Sequence, residues 1–296
     1  MAQKLVLPFQ ADRRVGLILS SLETRFHLPI LNSVRRWHEG CPVNPHYQQC
    51  PNIMWIWHQY LRDDLVSAVR EFFYHLESSR PASEAYDNFA HQRVCADDTL
   101  ITFNYDVALE RGLKGAGRWD VGSGYGFPLF ADSPASPVTV FKLHGSVNWF
   151  QTPLQQAPPP LMFPRDLDML GYQDRRDTRI GANGCAVNNS GTLILPDTDK
   201  RFYWERLWLP LWDSAARQLR SAGEVFIHGY SLPSADARAR RLLFDNVSPH
   251  APVHIFCWGA SERIAAGFRQ RGFADVRPNP ETGFEVWSSG NVVETR

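Results

Sequence analysis

The hydrophobic pattern changes character part-way along the chain. Up to about residue 97 it has helical period. In NIMWIWHQYLRDDLVSAVREFFYHL the residues Ile53, Ile56, Tyr60, Leu61, Leu65, Val69, Phe72, Phe73 and Leu76 recur at spacings of three and four. ASEAYDNFAHQRV predicts a shorter helix after it. From residue 98 the texture becomes short apolar runs, TLITFN, VTVFKL, TLILP, EVFIHG, VHIFCW and FADVR, of strand length. Helical patterns separate the later ones. RFYWERLWLPLWDSAARQL puts Trp204, Leu207, Trp208, Leu211, Trp212, Ala215 and Leu219 on one face, with Pro210 predicted to bend it. ADARARRLLFDNV and ASERIAAGFRQRG fill the next two gaps.

Strand, helix, strand, helix, strand is the signature of a parallel α/β sheet with right-handed crossovers. The expected fold is therefore α/β and Rossmann-like, a mostly parallel sheet flanked by helices. It divides into a helical N-terminal region, 1–97, and a core over 98–296. Residues 151–190, rich in Pro, Gly, Asn and charge without period, read as an inserted loop or flap within that core. GAGRWDVGSGYG, Gly115 to Gly126, follows a helix and opens none, so its glycines predict a flexible loop.

Composition narrows the class. With 44% hydrophobic and 12% aromatic residues among 296, the chain has ample material for a packed core. Thirty-one basic residues balance thirty-one acidic ones, so no global charge points to nucleic acid or an anionic membrane. The opening MAQKLVLPFQADRR has an apolar run stopped at Pro8, shorter than a signal or spanning segment, which predicts a cytoplasmic protein. Five scattered cysteines without a CxxC argue for reduced thiols.

Chemistry gathers where the apolar runs stop. In an open parallel sheet, ligands bind beyond the carboxyl ends of the strands. TLITF ends in Asn104-Tyr105-Asp106, VTVFKL in His144-Gly145-Ser146, EVFIH in Gly229-Tyr230-Ser231, and VHIF in Cys257-Trp258-Gly259. Each of these residue types also makes ordinary turns, and a lone histidine is often structural. Four such ends on one rim are a stronger signal than any one alone. A histidine with an ordinary pKa near 6.5 is a base toward a sugar hydroxyl or a water. Asn104 can hold a ribose or orient a water, and a helix start after Gly229 and Ser231 offers N–H groups to phosphate. The set suits a nucleotide sugar.

FNYDVALE, YGF at Tyr125 to Phe127, KLHGSVNW, ILPDTDK, LWDSAARQL and GYSLPSAD, in this order, resemble the sirtuin-like domains of bacterial NAD-hydrolysing antiphage defence proteins. The resemblance covers about residues 98 to 280. It implies cleavage of the nicotinamide–ribose bond of NAD, with Asn104 and His144 as the catalytic pair. It further implies that Asp106, Ser146, Gly229 and Ser231 hold the nucleotide, that NAD is the substrate, and that no metal is needed. A homo-oligomer or a defence-system protein is the expected partner.

The glycine-rich Gly-Ala-Gly-x-Ser element with which that family begins has no counterpart here; Gly16 and Gly40 stand isolated. Three expectations follow: a chain whose first strand lies upstream, a shortened domain completed by a partner, or an inactive relative. KLVLPF, Lys4 to Phe9, is the segment available to cover the gap. Without the zinc ribbon of protein deacetylases, deacylation is the less expected activity. His38, Cys41, His46 and Cys50 are a weak zinc-knuckle candidate in a proline-bearing loop.

Overall fold

A computed structural model describes residues 73, 83–126, 136–151, 162–164, 191–194, 208–233 and 236–290. The long helical pattern of residues 53–76 lies outside the described residues except Phe73, which is helical and sets its ring edge-on to Tyr105, 6.2 Å between centroids. The His38, Cys41, His46 and Cys50 cluster lies outside them too.

The described chain is mixed α/β, with short parallel sheets flanked by helices. Helix α1 (Glu84–Gln92) leads to β1 (Thr99–Thr102), and α2 (Ala108–Gly115) crosses to β2 (Thr139–Lys142), which pairs with β1 in parallel. A two-residue turn at Leu143-His144 then starts β3 (Gly145–Gln151). This strand pairs antiparallel with β4 (Met162–Pro164) and β5 (Gly191–Leu193). Next, α3 (Leu209–Ser221) leads to β6 (Val225–His228), and α4 (Ala237–Asn246) to β7 (Val253–Phe256). A single 3-10 turn and α5 (Ser261–Arg269) connect to β8 (Val276–Pro278), and the short α6 (Phe284–Ser288) follows. Strands β6, β7 and β8 form a second parallel sheet in that order.

Burial explains the placing of the strands. All four residues of β7 are buried, as a strand covered on both faces requires. Strand β6 alternates, Val225 and Ile227 inward and Phe226 37% exposed, and β1 is half-buried along its length. Both behave as sheet edges, and among the described residues no backbone ladder joins β1 to β6. Side chains join them instead. Phe103, just past β1, stacks on Tyr230, just past β6, at 4.3 Å, while Phe89 of α1 packs on Phe284 and Trp287 of α6.

Two expectations change here. The sequence stops the strand at His144, but Gly145, at φ +89°, redirects the chain and a longer strand continues beyond it. Gly145 to Trp149 are all buried, Asn148 and Trp149 completely, so neither alternation nor a polar stop marked it. Pro210 lies in the first described turn of α3, and residues 201–207, on which its expected bend depends, lie outside the described residues. The loop after α2 is packed rather than open. Trp119 and Tyr125 are buried and meet edge-on at 4.8 Å, with Gly124 so close under the Trp119 ring that a methyl group would not fit.

Candidate functional site

A buried polar network fixes the segment after β1. Lys142, at the end of β2, sets its Nζ 2.8 Å from the Glu110 carboxylate of α2, with both side chains almost fully buried. The Tyr125 hydroxyl donates to the same carboxylate at 3.0 Å, and Asn148 Nδ2 donates to that hydroxyl at 3.1 Å. Burial, and then the Glu110 charge, push the Tyr125 phenol well above its ordinary range, so it stays a neutral donor. Lys142 also donates to the main-chain carbonyl of Asp106. An ammonium anchored in the core therefore holds the Asn104–Asp106 turn from beneath.

On that turn Asn104 is exposed, and its backbone N–H donates to Thr102 Oγ1 at 3.1 Å. Its side chain hydrogen-bonds the Tyr86 phenol, which burial, with Asp106 and Glu110 adding to it, pushes up to about 12. The Asp106 carboxylate accepts from Ala108 N–H at 3.2 Å and so closes the start of α2. Ser146 is fully buried, its hydroxyl directed at the Tyr105 carbonyl and Tyr125. Its side chain belongs to the core beneath the rim.

His144 occupies the turn between β2 and β3, its main-chain carbonyl accepting from Ile194 N–H at 2.8 Å. The ring lies edge-on to Phe103 at 5.0 Å and is 6.4 Å from Trp212 of α3, whose indole N–H donates to the Leu143 carbonyl at 3.2 Å. Its Nε2 is enclosed and stands 3.2 Å from Asp236 Oδ2, an ion-pair distance without hydrogen-bond alignment.

Asp236 is a residue that sequence reasoning passed over. It is the N-cap of α4, Oδ1 accepting from Ala239 N–H at 3.4 Å. Its other oxygen accepts from the Tyr230 hydroxyl at 2.8 Å and faces His144. Burial and the Asp236 charge raise the Tyr230 phenol, keeping it protonated. One carboxylate thus ties the loop after β6 to the turn after β2. The contact turns one ring nitrogen of His144 toward the carboxylate and leaves the other facing away. The signal in the sequence was the aspartate closing GYSLPSAD, legible only as a helix cap.

The remaining rim residues come from the second sheet. Gly229 has φ +64° and open space where a side chain would stand, and its N–H donates to the Phe256 carbonyl at 3.1 Å. Ser231 is exposed, its carbonyl accepting from Arg263 of α5. Leu232 and Trp258 hold left-handed backbones, φ +48° and +44°, unfavourable for residues with side chains. Strain of this kind collects at functional loops. Trp258 is moreover 70% exposed and stands just beyond β7, an aromatic face on the rim that the sequence left unassigned.

The arrangement thus brings His144, Asp236 and Tyr230 together, with Phe103 between the histidine and the tyrosine and Asn104 next in the chain. Cys257, the neighbouring thiol, is raised by burial and is directed at the Ile227 and Tyr230 carbonyls. Among the described residues no group of three His, Cys, Asp or Glu side chains is arranged to hold a metal, and no helix is long and apolar enough to cross a membrane. Compared with known proteins, the chain matches no family model and no curated sequence.

Proposed function

We propose that the chain is a sirtuin-like NAD-consuming domain of Rossmann-like fold, hydrolysing the nicotinamide–ribose bond of NAD in cytoplasmic antiphage defence. The observation that carries this reading is the His144–Asp236 contact, a base and a carboxylate from two separate strand ends meeting at 3.2 Å. Motif order along the chain supports it from the sequence side.

In this reaction the bond between the pyridinium nitrogen and the ribose carbon breaks. Its electron pair leaves with neutral nicotinamide, and water adds to the resulting oxocarbenium-like carbon. The incoming water must lose a proton. His144 receives it, or withdraws one from a ribose hydroxyl, while Asp236 holds the ring and offsets the imidazolium charge. Asn104 orients the water or the ribose, since an amide cannot act as base. Gly229 and Ser231 border the phosphate side, and Asp106 supports the turn through α2.

Nicotinamide release from NAD by the purified chain is the test. Replacing His144 by Ala should lower turnover by roughly 10²-fold or more in a chain that still folds, at a modestly lower melting temperature. A chain that neither releases nicotinamide nor binds NAD overturns the reading.

The alternative is a catalytically inactive interaction or nucleotide-sensing module. It is favoured by one observation, the lack of a Gly-Ala-Gly-x-Ser loop in the sequence. NAD binding of equal strength by the natural chain and the His144→Ala variant, with turnover in neither, would decide for it.

A further inference from the structure

One face of the second sheet is built from rings. Parallel register sets Phe226 of β6 beside His254 of β7 and His228 beside Phe256, and alternation puts all four on the same side. Both pairs stack, at 4.6 Å and 4.3 Å between centroids. The indole of Trp287 covers the middle of this cluster, 4.1 Å from His228 and 5.6 Å from both Phe226 and Phe256, and is itself buried. Trp287 brings α6 with it. A helix of five residues does not hold its shape alone, so its seat on these rings decides whether it forms. Helix α1 supports the seat from the side. Phe89 packs on Phe284 and Trp287, and Arg93, closing α1, donates from Nε to the Trp287 carbonyl at 2.9 Å.

The weak point of the seat is His228. Both its ring nitrogens are enclosed and neither has a hydrogen-bond partner. A neutral imidazole can sit so between two rings, but an imidazolium would carry two donors without an acceptor. It would also stand close to the Arg93 charge. Burial, and then Arg93, hold the ring down to about 3. The Trp287 ring, which attracts a cation, already carries the Arg93 guanidinium 5.0 Å from its centroid. The other charges on this face are engaged elsewhere: His254 is paired with Glu224 at 2.7 Å and Arg277 with Asp275 at 2.6 Å, while the Glu285 carboxylate of α6 lies against Gly283.

Once α6 lifts, a hydrated His228 takes a proton with its ordinary pKa near 6.5. The seated state is therefore fully favoured above pH 6.5 and loses ground as pH falls from there toward 3.

We propose that α6 is an acid-released strap: protonation of His228 expels Trp287 and unseats α6 while the sheet beneath it stays folded. Strand β6 runs directly from His228 into Gly229 and Tyr230, so the strap links acidity to the rim. The proposal does not rest on the NAD reading.

Amide exchange in the full chain, corrected for its intrinsic dependence on pH, tests it. The Trp287 N–H, bonded to the Gly283 carbonyl at 3.0 Å, reports on α6, and Ile255 within β7 reports on the sheet. Protection of Trp287 should fall roughly 20-fold between pH 7 and pH 5 and stay at least about 100-fold below that of Ile255 at both. His228→Phe, which keeps a ring in the stack and takes no proton, should hold the fall within about twofold. His228→Leu makes the same test at smaller volume if the phenylalanine variant does not fold. Glu224→Gln removes the carboxylate paired with His254 and should leave the 20-fold fall in place. Equal protection of Trp287 and Ile255 in the natural chain would mean that α6 opens only with the whole sheet, and overturns the proposal. So does a fall that persists in a folded His228 variant, or one that disappears in Glu224→Gln.

Discussion

His228 shows how much one side chain can carry. It ends β6 stacked on Phe256 at 4.3 Å and against Trp287 at 4.1 Å, and neither ring nitrogen has a hydrogen-bond partner. Burial, and then the nearby Arg93 charge, push it down to about 3 from 6.5. The ring is thus neutral in the fold, while the unfolded chain protonates it at ordinary acidity. Its contribution is complete above pH 6.5 and is lost as pH falls from there toward 3, at up to about 1.4 kcal/mol per pH unit. Melting temperature measured across that window should fall less steeply in His228→Leu than in the natural chain. Asp236 is the converse case, a polar residue whose two oxygens do different work. Asp236→Asn keeps the cap on α4 but loses the charge facing His144, so nicotinamide release should drop by roughly tenfold or more at little change in stability. The sequence marked His144 because a base at a strand end is unusual. It left Asp236 unmarked because capping already accounted for an aspartate there, and chain positions 92 residues apart do not announce a 3.2 Å contact.

At the scale of elements, most strands and helices of the described core were legible, since buried parallel strands read as short apolar runs and helices α3 to α5 keep their period. What escaped was decided by tertiary partners. Strand β3 exists because β4 and β5 pair along it, and Ser146, expected on the rim, is drawn into the core with that strand. The elements β2 and α2 are joined by the Lys142–Glu110 pair, which is expensive to bury and still more so to break. Lys142→Met should destabilise the chain by about 3–5 kcal/mol by leaving Glu110 charged and enclosed, and adding Glu110→Leu should recover much of that loss. Thermal or denaturant unfolding of the two variants measures it. A double variant no more stable than the single one would mean that the network matters through Asp106 and Tyr125 rather than through charge compensation.

On the scale of the whole described molecule, the parallel strands form two sheets whose facing edges share no backbone ladder, and the coupling between them is by side chains. Main-chain hydrogen bonds lend a sheet its cooperativity, so the two groups should open as separate units. Native-state amide exchange is expected to give one protection level for β1 and β2 and another for β6 to β8; a single shared level would show that side chains alone weld them. The mixed α/β class was readable because each parallel sheet is internally regular, but the seam was not, since an edge strand and a central one differ in partners more than in composition. The clasp across that seam is Phe103 on Tyr230 and His144 against Asp236, the latter being the pair proposed for the chemistry. Selection for a durable protein and selection for a working one would then fall on the same few positions. Random variants chosen only for heat resistance should rarely change them, and a lineage that gave up the reaction would have a structural reason to keep its histidine.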